Sequence, residues 1–225
     1  MISGSREKLL TDLADLVALV EPPHPIRVAI DGRPASGKTT LADELAVVLR
    51  ARGRPVIQTS IDNFLRPRAE RYRRGEFTIE SNYHDSFDFE ALHRVLLNPL
   101  GPGGDLRYQP TIRDRVTDVP LNPPWQTAHP DAVLLFDGVF LMRPELNNHW
   151  DLRLLVSTTF EVTLARAKIR DQAEYGSVAV VERRFRHRYH PSQQHYLDTV
   201  DPASRADAVI HNDDPAHPTW TIRRP

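Results

Sequence analysis

The 225-residue chain contains no cysteine. That excludes disulfides and thiolate metal sites. It has no apolar run approaching the length of a membrane span. The opening residues 1–20 carry charges throughout their apolar stripe, unlike a secretory leader. There is little charge imbalance: 29 Lys and Arg stand against 30 Asp and Glu, with a formal net charge of −1. A balance this even gives no general reason to expect nucleic acid as a partner. What is present is ordinary for a soluble domain, at 40% hydrophobic and 26% charged. The expectation is a cytoplasmic enzyme of one domain spanning 1–225. The 19 prolines cluster between elements rather than inside them.

One stretch organises the chain. Gly32-Arg33-Pro34-Ala35-Ser36-Gly37-Lys38-Thr39-Thr40 meets every requirement of the phosphate-loop pattern G-x-x-x-x-G-K-[ST]. Ile26-Arg27-Val28-Ala29-Ile30-Asp31 before it reads as a buried strand. Leu41, Leu45, Val48 and Leu49 after it fall at helical spacing. Glycines at 32 and 37 let the backbone turn and approach an anion. Successive N–H groups and the helix N-terminus then favour phosphate. Gly32, Ala35, Ser36, Gly37, Lys38, Thr39 and Thr40 are therefore the expected nucleotide-binding residues. Lys38 supplies a cation for the β- and γ-phosphates, and the Thr39 hydroxyl is placed to ligate Mg²⁺.

In chain order, residues 5–20 read as an amphipathic helix, with Leu9, Leu13, Leu16, Val17 and Val20 on one face. Residues 55–60 read as a second strand, which makes a βαβ unit with the first and predicts a parallel sheet. Asp62 follows that strand's carboxyl end, where a parallel sheet opens its ligand crevice; a helix-capping role is the alternative. Residues 66–87 are polar, basic and aromatic, with Arg66, Arg68, Arg71, Arg73 and Arg74. These arginines fit a solvated face and an anionic substrate equally well. Asp88 caps a predicted helix through Leu97. In the Pro/Gly-rich stretch 98–125, Leu106-Arg107-Tyr108 and Val116-Thr117-Asp118-Val119 read as the strands of a hairpin, followed by an irregular linker over 120–130.

Residues 131–138 form a hydrophobic run ending in Asp137-Gly138, the form of a strand whose terminal carboxylate holds Mg²⁺ directly or through water. Residues 152–156 make another strand. Helices over 160–175 and 178–189 follow, rich in arginine, where a lid would lie. His187, His190 and His195 are irregularly spaced, and solvent or substrate contact is expected of them rather than metal ligation. Residues 206–211 read as the last strand, and 216–225 as an extended tail.

Together these motifs resemble the uridine kinase-like branch of the P-loop kinases, which includes phosphoribulokinase and bacterial pantothenate kinase. The similarity runs from about Arg27 to Asp214. Its more specific features are Ser60-Ile61-Asp62-Asn63-Phe64, Tyr83-His84-Asp85-Ser86-Phe87-Asp88, Leu135-Phe136-Asp137-Gly138, Arg166-Ala167-Lys168-Ile169-Arg170-Asp171 and Arg205-Ala206-Asp207-Ala208-Val209-Ile210. The resemblance implies a three-layer α/β P-loop fold with a parallel sheet of about five strands and helices on both faces. It also implies an acceptor-site insertion over 63–130 and an arginine-bearing lid over 160–195.

By position, the resemblance makes Asp62 the base that takes the acceptor hydroxyl's proton. Lys38, Arg166 and Arg170 become catalytic cations, with the two arginines on the lid. Thr39 and Asp137 become the Mg²⁺ residues, Asp137 standing where the family usually has Glu. Tyr83, Asp85, Tyr108 and Arg113 become acceptor-binding residues. Two features depart from the family: the ribose-holding Asp has no clear counterpart in the shortened 83–88 segment, and Arg113 stands near where a base-recognising His would be.

The expected activity is Mg²⁺-dependent transfer of the ATP γ-phosphate to a small-molecule hydroxyl, a nucleoside such as uridine first. A sugar or pantothenate-like acceptor is the alternative within that class, and a regulatory NTPase with no acceptor the alternative outside it. No nucleic acid or membrane partner is expected, and self-association is left open.

Overall fold

The computed structural model describes residues 1–223. Its centre is β2 (Ile26–Gly32), whose seven residues are all buried. A strand buried on both faces needs no polar alternation, which is why Ile26, Val28, Ala29 and Ile30 run almost unbroken. Around it the sheet has the order β1 (Ile2–Ser3), β9 (Thr219–Ile222), β8 (Ala208–His211), β7 (Leu152–Ser157), β2, β6 (Val133–Gly138), β3 (Val56–Ser60). The five strands from β8 to β3 are parallel. The other two, β9 and β1, extend the sheet antiparallel to seven strands rather than about five. The extended reading of the tail holds for Thr219–Ile222; its last residues, 224 and 225, lie outside the described residues.

Each face of the sheet is covered. Ile26, Val28 and Ile30 point with Val133, Leu135, Leu152 and Leu154 towards helices α1 (Arg6–Ala18) and α2 (Lys38–Ala51). Ala29, Leu134, Phe136 and Leu155 point the other way. That second face is covered by α4 (Phe89–Leu92) with its wider continuation His93–Leu97, by the segment 140–150 with α5 (Pro144–Asn147), and by α9 (His190–Val200) and α10 (Pro202–Arg205). The odd–even split of β2 across two cores is the two-residue strand period at work.

The insertion after β3 begins with one tight 3₁₀ turn, Ile61–Phe64, then the short α3 (Arg68–Arg71) and a π turn, Glu80–His84. The predicted hairpin is re-partnered. Strand β4 (Arg107–Tyr108) pairs with β5 (Gln126–Thr127), within the stretch read as an irregular linker. Residues 116–119 instead close a turn: the Asp114 carboxylate accepts from the Val116 and Thr117 N–H groups, at 2.9 and 2.7 Å. Asp118, at φ 60°, completes it. A side chain that satisfies the backbone locally removes the need for a strand partner. After β7, helices α6 (Phe160–Arg170), α7 (Gln172–Tyr175) and α8 (Val178–Arg184) run on through a π turn, Phe185–Tyr189, into α9. Leu164, Ala167, Val181 and Phe185 give this group its own small core against Ala35.

Candidate active site

All five parallel strands end on the same side, and the glycine loop leaves β2 there. Gly37 sits at φ 97°, and a Cβ on it would come within 2.6 Å of the Asn212 side chain. On Gly32, a Cβ would stand 2.5 Å from the Val156 carbonyl. Both glycines are thus dictated by close approach of neighbouring elements. Helix α2 starts at Gly37 with no side chain capping its first N–H groups. A 14-residue helix with its leading donors left free is built to receive an anion.

The loop is fixed from behind. Asn212, just past β8, donates its Nδ2 to the Ser36 carbonyl at 2.7 Å. Arg166 donates to the Asn212 and Asp213 carbonyls at 2.7 and 3.0 Å and to the Ser36 carbonyl at 3.4 Å. Beneath the loop, the fully buried Asp31 accepts from the Gly32 N–H at 2.7 Å, the Leu141 N–H at 3.0 Å and the Tyr196 hydroxyl at 2.5 Å. Burial raises Asp31 above the usual carboxylate range, opposed by the Tyr196 hydrogen bond, by Lys38 and by the Gly32 and Met142 N–H groups.

Lys38 rests with its Nζ donating to the Arg33 carbonyl at 2.8 Å. Burial lowers its pKa below that of an ordinary lysine, while Asp137, Asp31 and Asp62 pull it back up. Thr39 donates its hydroxyl to the Asp137 carboxylate at 2.8 Å. Burial raises Asp137, against the pull of Lys38 and the Thr39 hydrogen bond. One hydroxyl and one carboxylate oxygen in contact are hard donors of the kind Mg²⁺ takes, and they leave most of its shell to water and phosphate. Among the described residues no cluster of three or more acidic or histidine side chains forms a metal cage. The Thr39 and Asp137 oxygens are of the kind that fit a hard cation taking the rest of its shell elsewhere.

The loop opens into a cleft of about 1110 Å³. Lys38, Thr39, Asp62, Asp137 and Arg170 line its inner end. Asp62 is exposed there on the 3₁₀ turn after β3, and its N–H donates to Ser60 Oγ at 3.4 Å. Arg170 reaches the cleft while paired to Asp171 at 2.5 Å. A second recess of about 300 Å³ lies behind the loop, between Arg6, Gly37, Thr40, Glu44, Arg166 and Asn212.

The structure does not bring the four expected acceptor residues to the cleft. Tyr83 is buried against Phe140 and His195, ring centroids 5.0 Å away in each case. The neighbouring Asn82 lines the cleft in its place. Asp85 forms a two-pronged pair with Arg74, at 2.7 Å for each bond. Tyr108 is buried and donates its hydroxyl to Gln126 at 2.8 Å. Arg113 donates to the Leu65 and Asp118 carbonyls, at 3.0 and 2.7 Å. Arg166 and Arg170 both line the recess behind the loop, but Arg166 is bonded to backbone carbonyls while Arg170 also reaches the cleft. The cleft is instead lined, besides the phosphate-loop side, by Arg71, Tyr72, Asn82, Arg184, Arg188 and Gln193. The arginine density of 66–74 and 183–188 was the visible signal for these; nothing marked Gln193 or Asn212.

A glycine loop opening a helix, a strand-end Asp against its Thr, and an open cleft beside both define a P-loop kinase. The chain belongs to the Phosphoribulokinase / Uridine kinase family, whose sequence pattern matches residues 27–214. It is 28% identical over 154 residues to uridine-cytidine kinase B of Dictyostelium discoideum, covering 68% of this chain and 61% of that protein's length. The chain thus spans about three fifths of that relative. The fold is shared with the structure of a possible uridine kinase from Bacillus stearothermophilus, at TM-score 0.70, 23% identity and coverage of 90% of this chain and 97% of that one. A candidate fructose transport system kinase from Silicibacter sp. TM1040 also matches at TM-score 0.70 and 23% identity, covering 84% of this chain and 94% of the other.

Proposed function

We propose that the protein transfers the γ-phosphate of ATP, with Mg²⁺, to a hydroxyl of a small molecule. The observation that carries this is Asp62 at the inner end of the cleft, in the same cavity as Lys38, Thr39 and Asp137. A hydrolysing switch needs no open acceptor cleft of this size beside its phosphate loop. Bound Mg²⁺ would neutralise charge on the β- and γ-phosphates, held through Thr39 and Asp137. Lys38 exchanges the Arg33 carbonyl for phosphate oxygens. Asp62 accepts the proton from the attacking hydroxyl. Arg170 faces the transferring group and stabilises its charge.

The nucleoside that the Dictyostelium relative's name specifies is the first acceptor class to test. A non-nucleoside acceptor is the second, favoured by the withdrawal of Tyr83, Asp85, Tyr108 and Arg113 from the cleft. The test is ADP release with and without a panel of hydroxyl acceptors, repeated with Asp62→Asn. Acceptor-stimulated release that falls by about two to four orders of magnitude in the variant, at nearly unchanged ATP affinity, supports the reading. Hydrolysis indifferent to every acceptor overturns it in favour of a regulatory NTPase.

A further inference from the structure

Arg188 lines the cleft and is 3% exposed. It donates to the Glu76 carbonyl and to the hydroxyls of Ser81 and Ser86, the last two at 2.6 and 3.4 Å. All three acceptors are neutral. Other arginines nearby have carboxylate partners: Arg71 pairs with Asp118 at 2.9 Å, and Arg184 with Glu76 at 2.5 Å. Arg188 forms no ion pair among the described residues. The nearest carboxylate, Glu76, is bonded to Arg184 and only shared at a distance, so the buried Arg188 charge has no carboxylate of its own, a costly arrangement that a further anion would relieve.

Two further donors there are unspent. Arg71 is 7% exposed and its Nε has no hydrogen-bond partner. Gln193 is 3% exposed and its Nε2 likewise has none. Tyr72 joins the group: its ring centroid lies 4.9 Å from the Arg188 guanidinium carbon and 5.8 Å from that of Arg71. Guanidinium and amide N–H groups are donors only, so their complement is a group that only accepts. A neutral hydroxyl could satisfy a donor but would give Arg188 no ion pair. A carboxylate or phosphate does both, accepting from the unspent Arg71 Nε and Gln193 Nε2 beside the Arg188 charge.

We propose that the acceptor carries an anionic group, a carboxylate or a phosphate, held by Arg188, Arg71 and Gln193 while its hydroxyl faces Asp62. This rests on the kinase reading for the hydroxyl but not for the anion site, and two separate measurements distinguish them. In the first, a non-hydrolysable ATP analogue with Mg²⁺ occupies the phosphate loop and inorganic phosphate is titrated calorimetrically. Saturable binding is expected, weakened about a hundredfold in Arg188→Gln, the scale of losing one partner of a buried charge pair. Gln193→Glu, which sets a like charge against the anion at unchanged size, should abolish it, and serves if Arg188→Gln does not fold. No phosphate binding to the analogue-loaded wild type overturns the anion site whatever the protein catalyses.

In the second, sugar monophosphates and hydroxy acids are compared as acceptors with free sugars and nucleosides. The expected result is kcat/KM at least about tenfold higher for an anionic class than for its neutral counterparts, with Arg188→Gln raising KM far more than it lowers kcat. Which of the two anionic classes responds identifies the source of the charge. Neutral acceptors used as well or better, with KM unmoved in Arg188→Gln, would overturn the proposal while leaving the kinase reading intact.

Discussion

Asp85 and Arg74 show how a single residue's role turns on which side of a turn it leaves. The Arg74 hydrogen bond holds the Asp85 carboxyl below the usual range. A depressed folded pKa means the pair contributes stability above the unfolded carboxylate value and loses it as pH falls through the folded one. Asp85→Asn should therefore lower the melting temperature slightly at neutral pH, and the gap to wild type should close below about pH 4. Acceptor KM should not change; a raised KM would return Asp85 to the binding site. Motif spacing suggested otherwise because counting along the chain does not fix rotation. Within the π turn Glu80–His84, adjacent side chains diverge, so Asn82 faces the cleft and Tyr83 the core. By contrast Lys38, Thr39 and Asp137 were legible, since a strand–loop–helix turn is a local arrangement and Asp137 lies in register beside Ser60 and Ile30.

Helix α6 carries its two arginines to different tasks. Arg166 ties the helix to carbonyls of the phosphate loop and of the loop after β8, whereas Arg170 enters the cleft. We predict that Arg170→Ala lowers kcat by about two to three orders of magnitude with ATP affinity largely kept, as for loss of a transition-state donor. Arg166→Ala should chiefly weaken nucleotide binding, because the Ser36 carbonyl loses a tether and the loop its fixed shape. Steady-state kinetics and nucleotide titration of both variants check this; equal losses of kcat would make them a single clamp after all. The i, i+4 spacing of the pair was readable, but it reports a shared helix face and not what that face meets. The same limit explains the hairpin: β4 was readable, but its partner β5, nearly twenty residues on, was set by the Asx turn at Asp114 that removed the nearer candidate.

At the scale of the whole molecule, the fifth parallel strand is not the edge of the sheet. Strand β9 carries Trp220, fully buried on α1, with its Nε1 donating to Asp12 at 3.1 Å and Lys8 5.6 Å from its ring centroid. Trp220→Ala should cost about 3–5 kcal/mol in urea unfolding, as for removal of a buried aromatic, with kcat of the folded protein retained. Loss of less than about 1 kcal/mol would mean that the edge strands are ornamental. The two-residue β1 has no periodicity to read, and β9 is fixed by contact with a helix at the far end of the chain. The strand order has a kinetic consequence as well. Both neighbours of β2, at Val133–Gly138 and Leu152–Ser157, emerge from synthesis more than a hundred residues after it. Strand β2, made early, waits without either sheet neighbour until β6 has left the ribosome. Such distant pairing makes for slow folding, and a nascent chain halted before Val133 presents β2 with both strand edges unpaired, a natural client for chaperones.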